Sequence, residues 1–130
     1  MKRRGRFREW ALQILYQSEV LPERAEELFR TFWEGRSASE LEKKSAEELV
    51  QGVWEYRKEA DSFLNRFSQN WSLNRMSLID RSILRMGLFE LFHREEIPAQ
   101  IVINEAIELG KRYGASESGA FINGILDRAF

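Results

Sequence analysis

The chain has 130 residues, a length that fits one domain able to bury a proper core without staples. Hydrophobic residues at 43% and charged residues at 32% are a globular composition and exclude a disordered chain. Cys is absent and His occurs once, at His93, which excludes disulfides, thiolate or His-cluster metal sites, and a catalytic His pair.

The net charge of −1 conceals an asymmetry. Residues 1–8, MKRRGRFR, carry Lys2, Arg3, Arg4, Arg6 and Arg8, which is +5. The other 122 residues hold 15 basic and 21 acidic side chains, which is −6. A basic arm on an acidic body points to an anionic partner at one end, the plainer alternative being a solvated terminus. Phe7 lies among the arginines, where an aromatic can stack on an unpaired base or simply staple the arm to the first helix. The arm is no signal peptide, because Gln13 and Gln17 interrupt WALQILYQ and no small-residue cleavage site follows. Glu9 and Glu19 argue against a transit peptide. The most apolar stretch, ILRMGLFELF (83–92), contains Arg85 and Glu90, so no segment is expected to span a membrane. The expectation is a soluble, cytoplasmic protein.

Apolar spacing is helical throughout. The first predicted helix runs from about Phe7 to Ser18, with Trp10, Ala11, Ile14 and Leu15 on one face. Pro22 opens a second, striped by Ala25, Leu28, Phe29, Phe32 and Trp33, and Gly35 ends it. Residues 35–45 form a long connection. Ser45 and Glu48 have capping-box spacing and open a long helix to about Gln69, with Leu49, Val50, Val53, Trp54, Ala60, Leu64 and Phe67 facing inward. Residues 70–74 are a joint in which Trp71 and Leu73 plug the core. A helix over about 77–94 buries Ile79, Ile83, Leu84, Leu88, Leu91 and Phe92. Pro98 starts the next, with Val102, Ala106, Leu109 and Tyr113 inward, and Gly114 closes it. Ser116 or Ser118 caps a last helix carrying Phe121, Ile122, Ile125, Leu126 and Ala129. The result is an all-α bundle, one domain over 1–130. It divides into the arm (1–8), N-terminal helices (9–70) and C-terminal helices (71–130).

No catalytic constellation emerges. Glu105 and Glu108 share a helix face, but acids on an amphipathic helix are ordinarily its wet side. The eight glycines are scattered rather than gathered in a phosphate loop. His93 falls near a helix C-terminus, a structural place for a cation. Gly87, Gly110 and Gly124 interrupt helical patterns and are read as points of close helix approach.

The segment 76–130 resembles the C-terminal half of the NusB family of bacterial transcription antitermination factors. The residues that carry the resemblance are D-R-x-x-L-R (Asp80 to Arg85), Glu90 with Leu91, I-N-E-A-I-E-L (103–109) and F-I-N-G-I-L-D (121–127). R-E-x-A-L-Q-x-L-Y-Q (8–17) is similar to the family's opening motif, whereas 20–70 matches mainly in pattern. The resemblance implies two three-helix sub-bundles and an RNA-binding adaptor with no enzymatic activity, no cofactor and no metal. It further implies pairing with NusE, a small-subunit ribosomal protein. The pair would bind single-stranded boxA RNA of nascent ribosomal transcripts and promote read-through within the RNA polymerase antitermination complex.

Carried over by position, Lys2, Arg3, Arg4, Arg6, Arg8, Arg85, Lys111, Glu117 and Phe121 are the implied RNA-side residues. Tyr16 and Asp80 are the implied NusE-side residues, with Asp80 expected to be exposed. Gly5 and Phe7 stand where the family usually has arginine and alanine, and Gly110 where it usually has alanine. Two other readings compete. One is a detached NusB-like domain of an RNA cytosine methyltransferase, which requires an α/β nucleotide-binding domain after Phe130. The other is a homodimeric structural adaptor whose RNA surface is hidden by self-association.

Overall fold

Among the described residues the helical periodicity is realised as six α-helices, and no strand occurs. The computed structural model describes residues 2–67 and 76–129, the side chains of residues 2–5 apart. The joint expected at 70–74, with Trp71 and Leu73, lies outside the described residues. Among the described residues, no helix is long and apolar enough to cross a membrane. The chain divides into two compact units, Met1–Gly52 and Val53–Phe130. The division falls within helix 40–67 rather than at the joint expected over 70–74.

The first unit holds α1 (Lys2–Val20), a 3-10 turn (Pro22–Arg24), α2 (Ala25–Thr31) and the start of α3 (Glu40–Phe67). Helix α1 begins at Lys2, not near Phe7, so the basic arm is a helical extension and not a separate strand of coil. Trp10, Phe32 and Trp33 meet edge to face with ring centroids 4.9–6.1 Å apart, a geometry that aromatic quadrupoles favour. The Trp33 indole N–H donates to Glu47 at 2.9 Å, which ties this cluster to α3. Gly35 has φ +77°, the left-handed conformation that glycine reaches without cost, and it closes the turn after α2.

The cap of helix α3 lies six residues before the expected one. The Ser39 hydroxyl accepts the Glu42 N–H at 3.0 Å, and the Glu42 carboxylate accepts the Ser39 N–H at 3.0 Å. That reciprocal pair is the capping box, one S-x-x-E earlier than Ser45 and Glu48, which lie inside the helix. The connection expected over 35–45 shrinks accordingly.

The second unit holds the rest of α3 with α4 (Leu78–His93), α5 (Ala99–Tyr113) and α6 (Ser118–Ala129). Ser77 caps α4 by accepting the Asp80 N–H at 3.0 Å. Helix α4 is apolar nearly all round, and its residues 82–90 are all buried. Leu84, Leu88, Val102, Ile103, Ala106, Ile122 and Leu126 are buried across α4, α5 and α6. Gly87 and Gly110 are points of close approach, since an added Cβ would lie 3.0 Å from Leu126 and 2.7 Å from Ile122. Gly124 is not, because nothing lies within 4 Å of its would-be Cβ. Phe92 and Tyr113, expected inside, are exposed. The Ser118 hydroxyl accepts the Ala115 N–H at 2.9 Å, and that of Ser116 donates to Glu117. Each holds the turn before α6.

Candidate nucleic-acid interface

In the first unit the basic residues do not share one fate. The side chains of Lys2, Arg3 and Arg4 lie outside the described residues. Arg6 has a half-exposed side chain whose guanidinium lies 4.9 Å from the Trp10 ring centroid. Its Nε is 3.9 Å from a carboxylate oxygen of Glu42. Arg8 points the other way round the helix. It is only 5% exposed, with its guanidinium 4.7 Å from the ring centroid of Phe7. Phe7 is thus engaged by its neighbour's cation in the manner of a cation–π pair. Of the two arm arginines with described side chains, Arg6 is the one that reaches solvent, and Arg8 is withdrawn from the candidate RNA surface. Tyr16 is exposed further along α1, with exposed Val20 one turn on.

In the second unit Arg85 departs from expectation. It is 6% exposed, and it donates through Nε and a terminal nitrogen to the two oxygens of Asp61, at 2.7 and 2.8 Å. A guanidinium engaged in this fork geometry inside the fold is not displayed to a ligand. The structure therefore removes Arg85 from the base-contacting set and gives it a place between α3 and α4. Asp61 was missed in the sequence, although a carboxylate beside buried Ala60 and one turn before buried Leu64 is a signal for a buried partner.

The remaining candidates converge. Lys111 is exposed near the end of α5, with its ammonium 3.8 Å from Glu108. Its stem runs beside Gly119 of α6, where an added Cβ would meet Lys111 Cγ at 3.3 Å. Glu117 is exposed just before α6, and its carbonyl accepts the Phe121 N–H at 3.1 Å. Phe121, Glu117 and Asp80 line one groove of about 670 Å³, together with Met76, Ile79 and Tyr113. Residues expected on two different sides are therefore neighbours. The groove is mainly apolar, and its charged lining residues are both acidic.

Asp80 also differs from its expectation of exposure. It is half-buried, and its Oδ1 is buried without a hydrogen-bond partner. Its backbone N–H is the one that Ser77 caps, and the carboxylate at the first turn of α4 faces the positive end of the helix dipole. Met76 and Tyr113 were not legible as groove residues, because the sequence pattern placed Tyr113 in the core and gave Met76 no role.

The single histidine is structural in its surroundings. His93 ends α4, edge-on to Tyr56 at 4.7 Å and stacked on Phe89 at 5.4 Å. Burial, and then the nearby Glu59 carboxylate, push the Tyr56 phenol above its ordinary pKa. No group of three or more His, Cys, Asp or Glu able to hold a metal occurs among the described residues.

Helical spacing, a basic first helix and an apolar groove with acidic rims describe an all-helical binding module. The comparisons with known proteins name which one. The model of the NusB family matches residues 6–130, and the chain belongs to that family. It is 47% identical over 127 residues to the transcription antitermination protein NusB of Anaeromyxobacter dehalogenans, covering 97% of this chain and 89% of that one. The NusB of Myxococcus xanthus is 47% identical over 125 residues, covering 93% and 89%. Among solved structures, NusB of T. maritima matches with a TM-score of 0.84 at 38% identity, covering 96% of this chain and 88% of that one. A crystal structure of antitermination factors NusB and NusE in complex with dsRNA matches at 0.87 with 26% identity, covering 100% and 99%.

Proposed function

We propose that this chain is a transcription antitermination factor that binds boxA RNA of nascent ribosomal transcripts together with NusE. It promotes read-through by RNA polymerase and works in the cytoplasm, where those transcripts are made. The observation that carries the reading is the 47% identity, over nearly the whole chain, to proteins named for transcription antitermination. The likeness to a NusB–NusE–RNA complex supports the two partners. The chain's role is that of an adaptor and not of an enzyme.

The residues divide the work in a way that physical chemistry favours. Arg6, with Lys2, Arg3 and Arg4, supplies phosphate attraction, which adds affinity and little sequence information. Phe121 offers an aromatic ring on which an unpaired base can stack, with Glu117 in the same groove for a base amino group and Lys111 for a phosphate. Tyr16 and Asp80 serve the NusE side.

The test is an anisotropy titration of labelled single-stranded boxA RNA, a scrambled strand and a duplex, with the chain alone and with NusE. Tighter binding in the presence of NusE and a preference for boxA are expected. Equal affinity for all three RNAs, unmoved by NusE, would sink the reading.

A further inference from the structure

Glu42 performs two tasks with its two carboxylate oxygens. One accepts the Ser39 N–H at 3.0 Å and closes the capping box of α3. The other stands 3.9 Å from Nε of Arg6, the half-exposed arginine of the basic arm. The Glu42 side chain is 14% exposed, so the carboxylate cannot turn away to water without opening the cap. Arg6 has a second hold that leaves its charge free, the face of Trp10 at 4.9 Å.

These two holds have opposite consequences for a phosphate. The aromatic face orients the guanidinium and does not neutralise it. The carboxylate adds little as a partner, because a long ion pair on a half-solvated arginine is weak. Its charge nevertheless repels any phosphate that approaches the same guanidinium. We propose that Glu42 is a built-in competitor for Arg6, which holds down the affinity of the basic arm for nucleic-acid phosphates. This rests on the reading that the arm contacts RNA. Its consequence is that the arm alone grips any RNA weakly, and firm binding requires contacts elsewhere on the surface or from a partner.

Glu42→Gln separates the two tasks, because a glutamine oxygen still accepts the Ser39 N–H while the charge is gone. Labelled single-stranded boxA RNA would be titrated at low and high salt with wild type, Glu42→Gln, Arg6→Ala and the double variant. Ser39→Ala, which weakens the cap but keeps the carboxylate, is the control for helix fraying, and thermal melts accompany each protein. Glu42→Gln is expected to bind about three- to tenfold tighter at low salt, with the gain fading as salt screens the charge. The gain should vanish in the Arg6→Ala background and be absent in Ser39→Ala. Unchanged or weaker binding by Glu42→Gln overturns the proposal and indicates a carboxylate that is idle or that positions Arg6. A gain that persists without Arg6 overturns it as well. If wild type binds no RNA with or without NusE, the functional reading itself falls and takes this inference with it.

Discussion

Asp61 and Arg85 face each other across α3 and α4 in a two-pronged ion pair, with donor–acceptor distances of 2.7 and 2.8 Å. The two ends are unequally buried, the arginine side chain being 7% exposed and the aspartate 24%. Once the pair is broken, water can therefore reach Asp61 far better than Arg85. Asp61→Ala is expected to cost about 2–4 kcal/mol, somewhat below the full range for a broken buried pair. Arg85→Met keeps much of the volume and leaves the better-hydrated member of the pair, so it should cost about 1–2 kcal/mol. Urea melts of both variants check the order. Once corrected for the fraction folded, neither should change the preference for boxA over a scrambled strand. A specific loss on boxA by folded Arg85→Met would return Arg85 to the RNA surface.

The two described arginines of the arm should separate by the same logic. Arg6 reaches solvent, so Arg6→Ala should flatten the dependence of log K on log salt by about 0.7 for one phosphate of a single strand. The loss should be similar on boxA and on scrambled RNA, since a phosphate contact carries little sequence information. Arg8 is buried against Phe7 and reports on folding instead. Arg8→Ala should lower stability by about 1–2 kcal/mol and leave the salt slope where it was. A slope that moves with Arg8 and not with Arg6 would reverse the assignment.

The all-α class was legible because the apolar residues keep a period near 3.6 almost everywhere, and helix-starting prolines and capping serines mark the breaks. The boundaries that went astray have identifiable reasons. Three S-x-x-E motifs follow one another at Ser37, Ser39 and Ser45, and pattern alone does not say which closes the capping box. The basic arm contains Gly5 and lacks an apolar stripe, so nothing in it signalled that α1 begins at Lys2. The site was legible in part, through motif positions, and only the structure separates displayed from occupied charges. Arg6, Arg8 and Arg85 look alike in sequence, yet one is half-exposed, one packs on Phe7 and one forks onto Asp61. The partner that decides an arginine's role lies 24 residues away for Arg85, beyond what local spacing can show.

The start of α4 offers a test that separates stability from partner binding. Ser77 accepts the Asp80 N–H, and that bond survives any change to the Asp80 side chain. Ser77→Ala should therefore cost about 1 kcal/mol of stability. Asp80→Ala gives up a favourable helix-dipole contact of about 0.3–1 kcal/mol. It also removes a buried oxygen that has no partner, so its net effect should lie within about 0.5 kcal/mol of zero. If Asp80 meets NusE, the same change should weaken that association by about 1–3 kcal/mol in calorimetric titration. Full NusE affinity in Asp80→Ala, or a marked drop in melting temperature, would confine Asp80 to a local structural role.

Three glycines of the second unit should respond to alanine in an order set by what each new Cβ meets. At Gly124, inside α6, nothing lies within 4 Å. Alanine there gains helix propensity without a clash, and stability should rise by about 0.5–1 kcal/mol. At Gly110 the Cβ would approach Ile122 Cδ1 to 2.7 Å, the far end of a side chain that can turn. The propensity gain and the repacking cost should nearly cancel, leaving a change within about 0.5 kcal/mol. At Gly114 the new atom would overlap the Ser118 hydroxyl and come within 2.8 Å of the Gly110 carbonyl oxygen, which is backbone and cannot swing aside. The same hydroxyl accepts the Ala115 N–H, so the clash also strikes the turn that leads into α6. Gly114→Ala should cost about 1–3 kcal/mol. Urea midpoints at an unchanged m-value measure all three. If Gly124→Ala destabilised the fold and Gly114→Ala did not, the packing of α5 against α6 described above would be wrong.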